Sequence, residues 1–251
     1  MSQRGTIFYI HGNSSSNRVF ENILVSDKIS YQQIAPNLPG HGKKAGEDRE
    51  SNFTTKGYCD FLLSKVNSIE DDILLVGNSL GGHLALEIVP KVQRLKGLVI
   101  FGAPPVKKPL NVKEAFNPIP ALQTFLKENP ENEEIENALS EVISNHKLVD
   151  GFVNDFKTAN PKVRTALADD LSSGTWSNQA EIFLELHIPK LVIIGDKDVS
   201  VNTDYIKNLA NQDKDLCELV FFEKCGHYAS IEKPLEFENI LTSMAKKVFN
   251  R

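Results

Sequence analysis

The chain has 251 residues, 41% hydrophobic and 24% charged, a mixture that suits one globular domain with an insertion and excludes disorder and fibrous repeats. Twenty-eight Lys and Arg against thirty-three Asp and Glu give a formal net charge of −5, which leaves no positive excess for a nucleic acid or an anionic lipid surface. Three scattered cysteines, Cys59, Cys217 and Cys225, make neither a disulfide framework nor a metal clamp; with no apolar leader in Met-Ser-Gln-Arg-Gly and no run of membrane-spanning length, a soluble cytoplasmic protein is expected.

Short β-rich runs punctuate the chain at 6–10, 31–35 (the weakest), 73–76, 97–101, 190–194 and 218–222. Each is apolar without clean alternation, the pattern of strands covered on both faces, and the intervals demand crossover helices. The expectation is an α/β fold with about six mostly parallel strands and helices on both faces. Tyr58, Phe61, Leu62, Val66 and Ile69 recur at helical spacing, as do Phe237, Ile240, Leu241, Met244 and Val248. Pro234 followed by Leu-Glu-Phe-Glu makes a good first turn for the last helix, because proline loses no hydrogen bond there and acidic groups complement the positive end of the dipole. The strand rhythm stops after Phe101 and resumes at Lys190. The stretch between is rich in Glu, Asn and Lys, carries Ile135, Leu139, Val142 and Ile143 at helical spacing, and is broken at its entry by Pro104, Pro105, Pro109, Pro118 and Pro120. Residues 105–187 therefore read as an inserted helical lid subdomain, and residues 1–104 with 188–251 as the core. A hidden buried strand in the insertion is the alternative.

Gly77-Asn78-Ser79-Leu80-Gly81 stands directly between an apolar strand and a helix-forming run. A serine on so sharp a strand-to-helix turn presents its Oγ at the strand's C-terminal edge. Side chains at Gly77 and Gly81 would collide with the turn, and the helix start places positive dipole under developing negative charge. The bland alternative is a glycine-rich turn that binds phosphate or merely packs.

This segment resembles the nucleophile elbow of the α/β-hydrolase fold family, and further motifs match that family in order from Thr6 to Phe249, with only the insertion uncovered. Phe8-Tyr-Ile-His-Gly-Asn-Ser is similar to the family's His-Gly loop, which implies an oxyanion hole of the Asn13 and Leu80 backbone N–H groups. The Asn13 side chain either assists or caps the turn at residues 14–16. Pro36-Asn-Leu-Pro-Gly-His-Gly is similar to the family's Asp-x-Pro-Gly-His-Gly segment, with Asn37 as a departure; His41 there is read as structural. Ile-Ile-Gly-Asp-Lys-Asp-Val resembles the family's Gly-x-x-Asp turn and implies Asp198, rather than Asp196, as the acid of a triad. Lys224-Cys-Gly-His-Tyr-Ala-Ser-Ile-Glu-Lys-Pro resembles the family's Gly-His loop followed by Glu-x-Pro, and implies His227 as the base. The order Ser79, Asp198, His227 is the one this fold uses. With only five residues ahead of the first strand, the family's opening antiparallel hairpin is not expected, and the sheet's exposed first edge leaves monomer and homodimer both open.

The remaining candidates carry less. None of the six histidines pairs at metal-site spacing, so neither a metal nor another cofactor is implied. His83, one turn after Ser79, is read as pointing away from the site, Cys225 as a small buried hydrophobe, and the acidic run at 131–136 as a solvated helix face. Trp176, Phe116, Ile119, Leu122, Phe125, Phe152, Phe156, Leu167 and Leu171 divide between lining a pocket and packing the lid. The resemblance implies a serine hydrolase of small acyl substrates through an acyl-enzyme: a carboxylic ester first, with thioester, lactone or carbon–carbon cleavage as relatives. A hydrolase-like small-molecule sensor with little turnover, and a perhydrolase or cofactor-free haloperoxidase, are the alternatives.

Overall fold

The computed structural model describes residues 5–42, 45–46 and 48–250. The segment Met-Ser-Gln-Arg, considered above for a leader, lies outside them. Six strands, β1 (Thr6–Ile10), β2 (Gln32–Ile34), β3 (Ile73–Asn78), β4 (Leu95–Phe101), β5 (Lys190–Gly195) and β6 (Cys217–Phe222), form one sheet in the order β2-β1-β3-β4-β5-β6. Every ladder is parallel. β1, β3 and β5 are buried along their whole length, as their unbroken apolar runs require, whereas the edge strands β2 and β6 are only partly covered.

Alternate residues of each strand feed two cores. Ile7, Tyr9, Leu74, Val76, Val99, Phe101, Leu191 and Ile193 pack with the last helix (Pro234–Phe249) through Phe237, Leu241, Met244 and Val248. Phe8, Ile10, Leu75, Leu98, Ile100, Val192 and Ile194 pack on the other face with the helices Thr55–Val66 and Leu80–Ile88. Thr54 caps the first of these, its Oγ1 accepting from Gly57 N–H at 3.2 Å, and Ile69 falls beyond that helix's end.

The first edge of the sheet belongs to β2, since β1 is paired on both sides. β2 is only three residues long, and Thr6 and Tyr9 of β1 donate hydroxyl hydrogen bonds to Gln32 and Gln33 across that ladder. Between β4 and β5 the chain makes the helices Val112–Ala115, Pro120–Thr124, Asn132–Val142, Val149–Thr158, Lys162–Ser173 and Gln179–Glu185, and no strand. One isolated antiparallel bridge, Phe116 to Val201, pins this segment to the loop after β5. The acidic run at its centre is a helix start: Glu131 and Glu134 form a reciprocal capping box, and Glu134 also binds Lys127.

Candidate active site

β3 ends at Asn78, and Ser79 then adopts φ 52°, ψ −125°, a left-handed conformation that costs a non-glycine residue about 1–3 kcal/mol. The surroundings hold it there. Ser79 N–H donates to Phe101 O of β4 at 2.9 Å, while Ser79 O accepts from Gly82 N–H at 2.8 Å and His83 N–H at 3.2 Å. A Cβ on Gly77 would lie 2.5 Å from Gly82 Cα, and one on Gly81 would lie 2.1 Å from Ile10 O, so the turn closes only with both side chains missing. The Ser79 hydroxyl has no hydrogen-bond partner among the described residues.

Leu80 opens the helix Leu80–Ile88, so its N–H has no intrahelical acceptor. Neither it nor the Asn13 N–H, in the loop after β1, donates to any group among the described residues. Two neutral histidines shape that loop. Leu38 N–H donates to His11 Nε2 at 2.9 Å and Ser14 N–H to His41 Nε2 at 3.1 Å, so their Nδ1–H groups face Gly12 O and Pro39 O. Burial pushes the pKa of His11 down to about 3 and that of His41 down to about 4. His41 is therefore a pin between loops, and His11 is a second one that the sequence did not announce. The Asn13 side chain caps nothing; its Nδ2–H donates to Phe125 O in the inserted helices at 2.8 Å.

Asp198 lies in the turn after β5 and His227 in the loop after β6. His227 Nδ1–H donates to Asp198 Oδ2 at 2.8 Å, and the other carboxylate oxygen accepts from the Ser200 hydroxyl at 2.5 Å and Ser200 N–H at 3.1 Å. Asp196 is turned elsewhere, accepting from Cys225 N–H at 3.2 Å. Burial opposes both charges of the pair, but each partner outweighs it: Asp198 holds the His227 pKa above the ordinary histidine value, and His227 with Ser200 holds the Asp198 carboxyl below the ordinary carboxylate value. Because Nδ1 carries its hydrogen to the carboxylate, Nε2 is left to accept one. The backbone around the ring is equally constrained. His227 N–H donates to Val142 O at 2.9 Å, Asn78 Nδ2–H donates to His227 O at 3.3 Å, and Gly102, at φ 63°, leaves room for the imidazole, 2.5 Å from where a Cβ would sit.

Ser79, Leu80, Asn13, Ser200 and His227 line one cavity of about 590 Å³, whose remaining wall includes Phe116, Ile119, Leu122, Phe125, Leu167, Leu171 and Trp176 from the inserted segment. No hydrogen bond joins Ser79 to His227. Phe152 and Phe156 are fully buried in the core and do not line it. His83 does line it, against expectation: a residue four positions after Ser79 lies on the same face of the helix. Cys225 is fully buried with its thiol pKa pushed up by burial, as expected of a small hydrophobe. Among the described residues no group of three or more His, Cys, Asp or Glu side chains converges as a metal site would, and no helix is long and apolar enough to cross a membrane.

Sequence reading missed Ser200, although an acceptor–hydroxyl spacing of two residues is a common local turn. It also gave Glu232 no role. That carboxylate accepts from the N–H groups of Gly226 and Tyr228 on either side of His227, and from Ser144 and Asn145 in the insertion.

Residues 7–240 match the alpha/beta hydrolase family, and the chain belongs to that family. No curated protein matches the chain. Among solved structures, it is similar to a mutant of the N-acyl homoserine lactonase AidH complexed with N-hexanoyl homoserine, with a TM-score of 0.86, 24% identity, and 100% of this chain and 91% of that one covered. It is also similar to Est816, described as an N-acyl homoserine lactone degrading enzyme, at TM-score 0.76, 19% identity and coverage of 95% and 92%. A mutant of the meta-cleavage product hydrolase CumD from Pseudomonas fluorescens IP01, complexed with acetates, is similar at TM-score 0.74, 18% identity and coverage of 97% and 91%.

Proposed function

We propose that this chain is a serine hydrolase that cleaves the acyl bond of a small molecule, most directly a carboxylic ester. The observation that carries the reading is the buried His227–Asp198 pair, 2.8 Å between Nδ1 and Oδ2, sharing a cavity with a serine held at φ 52°. In this reading Ser79 Oγ attacks the acyl carbonyl carbon while His227 Nε2 takes its proton, and Asp198 fixes the tautomer and favours the imidazolium. The unspent N–H groups of Asn13 and Leu80 receive the oxyanion. His227 then protonates the leaving group, and water attacks the acyl-enzyme with His227 again as base.

The apolar wall supplied by the insertion suits a hydrophobic acyl or alcohol group, and residues 105–187 act as the lid over a core made by residues 1–104 and 188–251. The named activities of the similar structures, lactone opening and meta-cleavage product hydrolysis, widen the class to lactones and activated carbon–carbon bonds. The three free cysteines fit a reducing compartment such as the cytoplasm.

Fluorophosphonate labelling followed by peptide mass spectrometry tests the assignment. The adduct is expected on Ser79 and should vanish in His227→Ala. Ser79→Ala should lower kcat for p-nitrophenyl esters by about 10⁶ if the three side chains act as a unit. A protein that never labels, or a Ser79→Ala variant that keeps most of its turnover, would defeat the reading.

A further inference from the structure

His83 is only 3% exposed, yet it borders the cavity, one helical turn (about 6 Å of rise) below Ser79. Its ring packs against Trp176, 4.6 Å away between centroids, and against Phe116, at 5.7 Å. Its Nδ1 is 2.7 Å from Gln179 Oε1, and its Nε2 has no partner among the described residues.

The protons on this group follow from the acceptors behind it. Glu87 accepts from Ser177 N–H at 2.9 Å and from the Ser177 hydroxyl at 2.7 Å, and its Oε1 lies 2.8 Å from Gln179 Nε2. A carboxylate only accepts, so the amide nitrogen of Gln179 must face Glu87 and its oxygen must face His83. An amide oxygen also only accepts, so the proton of the neutral ring sits on Nδ1. Nε2 is then a bare lone pair. Burial, opposed by the Gln179 hydrogen bond and assisted by the nearby His227 charge, pushes the pKa of the ring down to about 4, so the ring stays neutral near pH 7.

A fixed, neutral acceptor in a wall that is mostly aromatic and aliphatic, with Lys113, Asn117 and Gln123 as its other polar side chains from the insertion, does nothing for the chemistry assigned to Ser79, His227 and Asp198. We propose that His83 Nε2 is a specificity acceptor, which selects substrates carrying a hydrogen-bond donor, an amide N–H or a hydroxyl, a few bonds from the scissile carbonyl. This rests on Ser79 being the nucleophile. A substrate with such a donor replaces the water that hydrates Nε2; a donor-free isostere expels that water and leaves the acceptor unpaired, which costs about 10- to 100-fold. Gln179 and Glu87 are positioning residues that hold the tautomer.

The test compares p-nitrophenyl esters of N-hexanoyl glycine, β-alanine and 4-aminobutyrate with analogues in which oxygen replaces the N–H. At one spacing or more, the native protein is expected to prefer the N–H member by about 10- to 100-fold in kcat/KM. In His83→Phe, which keeps an aromatic ring but no acceptor, that preference should fall below about threefold, because the N–H member loses its acceptor and the oxygen analogue is relieved of an unpaired one. A merely structural role would slow both members together and leave the ratio intact, which overturns the proposal. So does a native ratio below about threefold at every spacing, or an N–H series that neither binds nor turns over.

Ser79→Ala separates the two readings. If it retains turnover, the nucleophile assignment fails; if it is inactive but still binds the N–H member more tightly by calorimetry, His83 stands apart from the chemistry. Independently of turnover, ¹⁵N imidazole resonances assigned with His83→Phe should show Nδ1–H and a bare Nε2 from pH 8 to pH 5. An Nε2–H tautomer sinks the proposal outright.

Discussion

In the proposed mechanism His227 must be neutral to accept a proton, yet the Asp198 carboxylate beside it favours the imidazolium, so pairing would trade base availability for orientation. The kcat/KM of the free protein should therefore fall with decreasing pH through a pKa above the ordinary histidine value. Asp198→Asn removes the charge and puts an NH₂ donor in place of one carboxylate oxygen, leaving burial, opposed by the Glu232 charge, to push the ring down. The acid limb should then move to lower pH while kcat drops by about 10⁴, because nothing fixes the Nδ1–H tautomer. An unmoved limb in that variant would show that the pair does not set the profile. Stability follows the same two groups with opposite signs. The raised folded pKa of His227 stabilises at pH below its unfolded value and is lost as pH rises through the folded one. The lowered pKa of Asp198 stabilises above its unfolded value and is lost as pH falls through the folded one. Thermal unfolding against pH should accordingly peak between the carboxylate and histidine ranges in the native protein, and flatten in Asp198→Asn.

At the scale of elements, one carboxylate ties the loop that carries His227 to the insertion. The Glu232 carboxylate, at the end of the single turn Ala229–Glu232, gathers Gly226 N–H at 3.1 Å, Tyr228 N–H at 3.1 Å, Ser144 N–H at 2.8 Å and Asn145 N–H at 3.2 Å. One side chain thus joins the His227 loop to the turn that follows the helix Asn132–Val142. Glu232→Gln puts an N–H₂ where an acceptor is needed, so urea unfolding should show a loss of about 3 kcal/mol, and kcat should fall more than KM changes. A loss under about 0.5 kcal/mol would mean that the clamp is redundant.

The contrast with the elbow explains what was legible in the sequence. Gly77, Ser79 and Gly81 encode their turn within five residues, and the apolar runs of β1, β3, β4 and β5 encode two-sided burial residue by residue. Glu232 acts on partners 87 and 88 positions away, and its own neighbourhood carries no trace of them. β2 shrank to three residues because only Gln32, Gln33 and Ile34 reach the ladder beside β1. Leu84, Ala85 and Leu86 mark the helix after Ser79 as buried, but local pattern does not say that a cavity opens within that burial beside His83.

Across the whole molecule, the inserted helices are the far wall of the cavity, and they are fastened to the same loops that shape its near wall. Arg164 gathers three carbonyls of the insertion and joins them to the loop after β1. Its guanidinium donates to Lys127 O at 2.8 Å, Glu128 O at 2.6 Å, Phe156 O at 3.4 Å and the Ser14 hydroxyl at 3.2 Å, next to Asn13. Arg18 reaches Asp155 at 3.0 Å, and Asn160 N–H donates to Gly40 O at 2.8 Å. An insertion tied to the loops after β1 and β2 by Arg164–Ser14, Arg18–Asp155, Asn160–Gly40 and Asn13–Phe125 cannot swing away as a free flap without breaking all four contacts. Widening of the cavity must then come from local opening of a part of the wall rather than from rigid removal of all of it. Arg164→Leu preserves bulk but strands three carbonyls, which should cost about 3 kcal/mol and lower Tm by about 6–12 °C in a protein of this size. Amide hydrogen exchange should accelerate at residues 127–128, 156–164 and 13–14 together, while β3 and β5 keep their protection. Exchange that rises only around Arg164 itself, with the loop at Asn13 unchanged, would show that the two walls of the cavity are held independently.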